Sequence, residues 1–263
     1  LVEIYGGFGN QLFQLAFCFD LKAKGLKVLV NTRDFKRVEK ENADHLTARK
    51  LVLPVDYFGL DEIDSLSYLN YRIRRVLRKS NTIGNVFLNN KIFQLCNDKN
   101  FNINYLKKKN YLIGHWQNLE IIKNNKKKIK ESISNNALLK KAVNTEDYKD
   151  TTLIHVRRGD YLKFNEELPI SYYEKSIELI KNKSKNTQFM VYTDDTAWCK
   201  KQNIFKTVAD ISSSTDSPED TVLTFSSMLQ NKNFIIANST FSLLAAALGK
   251  KKNSIITYPD LLV

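Results

Sequence analysis

Thr151-Thr-Leu-Ile-His-Val-Arg-Arg-Gly-Asp-Tyr161 is a short apolar run that stops abruptly on two arginines, a glycine and an aspartate. Thr152 to Val156 reads as a buried strand, because its branched residues fit a pleated surface and the run is too short for a helix. Arg157, Arg158 and Asp160 therefore sit at the carboxyl end of that strand, the edge at which open α/β sheets bind ligands. A guanidinium offers a planar fork of N–H donors matched to a phosphate or carboxylate. The stretch points to a site for a polyanion; the plainer reading is a solvated turn closed by a surface ion pair.

Three other stretches have the same character. Gly6-Gly-Phe-Gly-Asn-Gln-Leu-Phe-Gln-Leu-Ala-Phe17 opens the chain, Tyr192-Thr-Asp-Asp195 ends an apolar run on two acids, and Asn238-Ser-Thr-Phe-Ser-Leu-Leu-Ala-Ala-Ala-Leu-Gly249 lies near the end. With His155-Val-Arg-Arg-Gly-Asp160, these four motifs resemble, in the same order, those of the bacterial α-1,2-fucosyltransferases, glycosyltransferase family 11. The resemblance spans residues 6 to 249. It implies an α/β fold of GT-B type: two Rossmann-like domains facing a cleft, residues 1–147 on the acceptor side and 148–263 binding GDP-fucose, with the last residues able to pack back on the first domain.

The pattern around the motifs agrees with α/β alternation. Val2 to Tyr5 reads as a strand, followed by a glycine turn, a helix from about Asn10 to Lys24 with Leu12, Leu15, Ala16 and Phe19 on one face, and a second strand from Lys27 to Asn31. The three-glycine dinucleotide fingerprint is absent, so NAD binding is not expected. Residues 32–60 read as loop with short helical pieces, and Ile63 to Lys79 as a basic amphipathic helix that either faces a core or lies on anionic lipid. Tyr111 to Gly114 is a strand ending at His115-Trp-Gln-Asn118, Ile121 to Ile133 and Ala137 to Val143 are basic helices, and 144–150 is the linker. Beyond Thr152 to Val156, Ser171-Tyr-Tyr-Glu174 forms a capping box for a helix to about Lys183. Strands follow at 188–193, 207–211, 233–237 and 254–258, with helices at 219–229 and from 238 to Gly249.

Composition narrows the options. At 263 residues, 43% of them hydrophobic, the chain supports one large core or two smaller ones. No run approaches the roughly 18 apolar residues of a membrane span, and the first residues read as a strand, so a soluble cytoplasmic protein is expected. Cys18, Cys96 and Cys199 have no paired spacing, which argues against a disulfide frame or a zinc site. The net charge of +13 calls for an anionic partner: nucleic acid, a lipid surface or a nucleotide. Nucleic acid is disfavoured, because Lys123 to Lys130 contains no aromatic residue on which a base could stack.

The resemblance implies roles for the motif residues. Arg157 grips the β-phosphate of the leaving GDP as charge develops there, while Arg158 turns away, pairs with an acid and holds the loop. Asn238, Ser239, Thr240, Phe241 and Ser242 supply a second phosphate anchor at a helix start, or ordinary capping. His155, Asp194 and Asp195 stand where base and ribose recognition is expected, or the two acids cap the next helix. Gly7, Phe8, Gly9, Asn10 and Gln11 form a loop on the acceptor side, with Asn10 directed at a phosphate or at the acceptor hydroxyl. Asp160 is a candidate general base by position, or the ion-pair partner of Arg158. No Asp-x-Asp occurs in the chain, and that is the pair by which metal-dependent sugar transferases hold a diphosphate through a cation. No metal and no cofactor beyond the donor are therefore expected. The implied reaction moves L-fucose to the 2-hydroxyl of a galactoside, in a galactose-containing oligosaccharide or lipid-linked glycan of O-antigen or capsule assembly at the inner face of the cell membrane. Another linkage is the alternative.

Overall fold

In a computed structural model, the structure describes residues 1–35, 49–63, 84–88, 91–98, 101–106, 110–135, 150–213 and 217–260. It divides into two compact units, Leu1–Asn125 and Lys126–Val263. The sequence places the boundary at 147/148, and most of the stretch between the two positions, 136–149, lies outside the described residues.

The first unit is built on a six-stranded sheet of β1 (Val2–Glu3), β2 (Leu29–Asn31), β3 (Asp61–Glu62), β4 (Gly84–Leu88), β5 (Lys91–Asn97) and β6 (Asn110–Ile113). The strand order is β3-β2-β1-β6-β5-β4, parallel except for the β4–β5 hairpin, which the sequence reading did not contain. Helix α1 (Phe8–Ala23) follows β1 and buries Leu12, Phe13, Leu15, Ala16, Phe17 and Phe19. It begins two residues earlier than expected, so Gly9 lies inside it. Gln14 ties the two central strands together: its side chain accepts from Tyr5 N at 3.0 Å and donates to the Gly114 carbonyl at 3.1 Å. The single helix expected over 121–133 is two: α2 (Leu119–Asn124) ends this unit and α3 (Lys126–Ser134) opens the second. Asn125 separates them, its side-chain amide bonding the Ile121 carbonyl, a local alternative to helix continuation. Of the basic helix expected over Ile63 to Lys79 only Ile63 is among the described residues, and the one expected over 137–143 lies outside them.

The second unit carries β7 (Thr151–Val156), β8 (Gln188–Thr193), β9 (Asp210–Ser213), β10 (Asn233–Ile235) and β11 (Ile256–Thr257) in the order β11-β10-β7-β8-β9, parallel throughout. All six residues of β7 are buried. A central parallel strand is covered on both faces, which accounts for its unbroken apolar run. Ile154 and Val156 pack with Tyr173, Ile177 and Ile180 of α4 (Ile170–Lys183) and Cys199 of α5 (Thr196–Lys201). His155, of opposite parity, faces Phe241 of α7 (Thr240–Gly249), which in turn meets Phe225 of α6 (Pro218–Leu229).

The capping box expected at Ser171 does not form. Helix α4 starts two residues earlier, at Ile170, with Pro169 instead of Ser171 at the cap position and no side-chain capping bond, which leaves Ser171 in the first turn. The strand expected over 207–211 runs instead over Asp210–Ser213. In both sheets the chain winds outward from a central strand and then returns to its other side. This creates a topological switch between β1 and β6 in the first unit and between β7 and β10 in the second, and ligands of open α/β sheets bind at the carboxyl ends of the strands flanking such a switch.

Candidate active site

At the switch of the second unit, β7 delivers Arg157 and Arg158, the neighbouring β8 delivers Asp194 and Asp195, and β10 leads into Asn238 and α7. The Arg157 guanidinium is gripped on two sides: Nη2 lies 2.6 Å from Asp160 Oδ1 and Nη1 lies 2.9 Å from Asp194 Oδ2. Burial by itself would lower its pKa; the charges of Asp194 and Asp160 outweigh burial and raise it. Asp160 is therefore the partner of Arg157, and not of Arg158 as the sequence reading had it. The 3₁₀ turn over Asp160–Lys163 folds its carboxylate back three residues.

Arg158 holds the loop. Its Nε meets Asp195 Oδ2 at 3.1 Å, its guanidinium lies 4.0 Å from the Trp198 ring centroid, and its backbone N–H donates to Asp194 Oδ1 at 2.9 Å. Asp195 also caps α5 by accepting from Trp198 N at 3.0 Å, so the capping alternative holds for this acid, while Asp194 is directed at Arg157 and the β7 loop. Gly159 makes room for that arrangement, because a Cβ there would stand 2.7 Å from Asp194 Oδ2.

His155 is buried and its Nδ1 has no hydrogen-bond partner among the described residues. Burial, and then the charge of Arg157, lower its pKa to about 3, so it is neutral near pH 7 and able to offer either a donor or an acceptor. Across the switch, Tyr161 Oη donates to the Asn238 carbonyl at 2.9 Å, which joins the loop after β7 to the one after β10. Asn238 Nδ2 donates to the Glu166 carbonyl, and its Oδ1 is buried without a partner among the described residues. Ser239 is the N-cap of α7, whose first residues are Thr240 and Phe241. Ser242 is fully buried, and its hydroxyl is engaged with Ala237 N and the Ser239 carbonyl, so it braces the turn from within.

In the first unit, Gly7 is the N-cap of α1 and Phe8, Gly9 and Gln11 are buried. Gln11 is committed to its own unit, donating to the carbonyls of Gly6 and Lys50 and accepting from Val52 N. Asn10 is half-exposed and accepts from Gln117 Nε2 at 3.0 Å. Tyr161, Trp198 and Gln117 were not singled out from the sequence. Tyr161 adjoins the arginine motif and Trp198 stands one helical turn after Asp195, which is the signal that could have flagged them; Gln117 comes close to Asn10 only through the strand order. Among the described residues no cluster of three His, Cys, Asp or Glu could hold a metal ion.

Two parallel-stranded α/β units, each with its site residues at a topological switch, define the GT-B class of fold, and the solved structure of NodZ α-1,6-fucosyltransferase soaked with GDP-fucose shares it: TM-score 0.50 over 99% of this chain and 95% of that one, at 11% identity. The chain belongs to glycosyl transferase family 11, whose family model it matches over residues 1–261. Two Escherichia coli relatives are similar along most of their length. The O-antigen biosynthesis glycosyltransferase WbnK is 28% identical over 97% of this chain and 91% of its own. An α-1,2-colitosyltransferase is 26% identical over 92% of this chain and 84% of its own.

Proposed function

We propose that this family 11 enzyme transfers L-fucose from GDP-fucose to the 2-hydroxyl of a galactoside, with inversion, on a glycan intermediate of O-antigen or capsule assembly. The observation that carries the reading is the placement of Arg157 after β7 and of the helix start of α7 after β10, on the two sides of one topological switch. A guanidinium fork and a helix N-terminus together offer the donors that a diphosphate takes. Relatives named for O-antigen biosynthesis and for an α-1,2 linkage support the pathway class and the linkage.

In this reading Arg157 stabilises the charge that develops on the β-phosphate as the sugar leaves. A diphosphate reaching Arg157 displaces a carboxylate from the fork, and Asp160, on the 3₁₀ turn, is the one that gives way; it then orients the guanidinium from the side. His155 serves the nucleoside and Asn10 the acceptor hydroxyl, while Asp194, whose two oxygens are taken by Arg157 and by the Arg158 N–H, holds the guanidinium in place instead of reading the base. Ser239 and Thr240 bring the α7 amides to the phosphate. Neutralisation by these groups lets the transfer proceed without a metal or added cofactor. The colitosyl relative favours one alternative, a different 6-deoxy-type donor sugar on the same nucleotide.

The test is to incubate the protein with GDP-fucose and a galactose-terminated oligosaccharide, measure GDP release, and determine the linkage of the product by NMR. A fucosyl product linked to O2 of galactose is the expected outcome. Acceptor-dependent turnover with a different nucleotide sugar only, or a product linked elsewhere, would replace this assignment.

A further inference from the structure

The switch point of the first unit carries a second constellation. From the end of β1 come Tyr5 and the segment leading to Asn10; from the end of β6 comes Gly114-His-Trp-Gln-Asn118. Trp116 has a φ of 55°, the left-handed region that a bulky side chain rarely adopts. Its indole is nonetheless held fast, stacked on Phe17 at 4.1 Å with 6° between the planes and set edge-on to Phe101 at 5.2 Å. The turn made there places both neighbours on the β1–α1 segment. The His115 ring lies 5.1 Å from that of Tyr5, and Gln117 Nε2 donates to Asn10 Oδ1 at 3.0 Å.

The backbone on either side of Gln117 is pinned. Asn118 N donates to the Trp116 carbonyl at 2.8 Å, and the Asn118 side chain caps α2 by accepting from Glu120 N at 2.9 Å. His115 N donates to Asp98 Oδ2 at 2.9 Å, and Gly114 permits this approach, since a Cβ at that position would stand 2.9 Å from Asp98 Cγ. Gln117 is itself exposed, so its bond to Asn10 adds little to stability. A strained, buried tryptophan beside an exposed but immobilised amide is the kind of outlier that leads to a hypothesis of function. The bond has one chemical consequence: with its carbonyl oxygen occupied by Gln117, Asn10 presents its NH₂ group as the available end, a donor suited to a hydroxyl or phosphate oxygen.

We propose that Gln117 is a positioning residue that fixes the direction of the Asn10 carboxamide, and that the two amides form the subsite for the reacting acceptor hydroxyl. This rests on the reading of Asn10 as an acceptor-side residue given above. A double-mutant cycle tests it, comparing the wild type with Asn10→Ala, Gln117→Ala and the double variant, and adding Gln117→Glu, which keeps the shape but replaces the donor by an acceptor. With GDP-fucose and a galactose-terminated acceptor, Gln117→Ala is expected to lower transfer about tenfold, the worth of one hydrogen bond. Gln117→Glu should do no better, the double variant should be no worse than Asn10→Ala, and the melting temperature and GDP affinity should be unchanged in all. If Asn10→Ala cripples transfer but Gln117→Ala does not, or if the two losses multiply in the double variant, the positioning role is wrong while the acceptor-side reading of Asn10 stands. If Asn10→Ala transfers at the wild-type rate, that reading fails and the inference falls with it.

Discussion

At the scale of single residues, the two adjacent arginines have different surroundings and so different expected consequences. Arg157 presents its two terminal nitrogens to two carboxylates, whereas Arg158 spends its Nε on Asp195 and its flat face on Trp198. Lysine keeps a charge but has neither fork nor plane. Arg157→Lys is expected to lower kcat roughly a hundredfold or more, the scale of losing one transition-state donor, with a smaller loss of GDP affinity. Arg158→Lys should chiefly lower the melting temperature. Steady-state kinetics and melting curves of both variants check this, and an Arg158→Lys protein that stays folded yet loses turnover would reverse the two roles. His155 makes a pH prediction. Its pKa is about 6.5 in the unfolded chain and about 3 when folded, through burial and the charge of Arg157. Between those values the unfolded state binds the extra proton, so the contribution to stability is complete above about pH 6.5 and is lost as pH falls toward 3, at up to about 1.4 kcal/mol per pH unit. His155→Gln should therefore melt with a shallower dependence on pH between 6.5 and 4.5 than the wild type; parallel curves would rule the depressed value out.

At the scale of elements, the helix starts show how local signals are accepted or overridden. Ser217 before Pro218 caps α6 by accepting from Asp220 N at 3.1 Å. Ser171, with Glu174 three residues on, carries an equally good capping signature, yet α4 begins ahead of it. Pro169 sets the backbone one residue before the helix, and Tyr172 N already bonds the Pro169 carbonyl, so the first turn is closed before Ser171 can cap it. Ser217→Ala is expected to cost about 1 kcal/mol, and Ser171→Ala less than about 0.5 kcal/mol. Chemical denaturation of both variants measures the difference, and equal losses would show that Ser171 does cap the helix.

At the scale of the whole molecule, both units run three strands outward from a central strand and then fill its other side, from the far edge inward in the first unit and from the centre outward in the second. The phosphate-binding groups proposed for the second unit are a guanidinium and a helix start, and the chain has no Asp-x-Asp. EDTA is therefore expected to leave transfer intact, with activity lost on chelation and restored by magnesium or manganese as the contrary result. No helix among the described residues is long and apolar enough to cross a membrane, while the net charge is +13. At low salt the protein should sediment with vesicles rich in anionic lipid and be released as salt screens the attraction. If it stays in the supernatant with those vesicles, a peripheral membrane contact is excluded.

The sequence by itself determined the α/β class, the central strand over Thr152 to Val156 and the motifs at the carboxyl ends of β7, β8 and β10, because a strand buried on both faces must be continuously apolar and its polar residues can begin only where it leaves the core. It also contained the divergence of the Arg157 and Arg158 side chains, since consecutive side chains leaving a strand take opposite faces. Only the tertiary structure decided which acid each arginine takes. Asp160 reaches Arg157 through the shape of a 3₁₀ turn, and Asp195 reaches Arg158 because β8 pairs in register beside β7, with His155 opposite Tyr192. The bond between Asn10 and Gln117 belongs to the same category. More than a hundred residues separate the two amides, and nothing local to either one encodes that β6, and not the hairpin of β4 and β5 or any later strand, lies against β1; that neighbour is set by the competition of all the strands for the centre of one sheet.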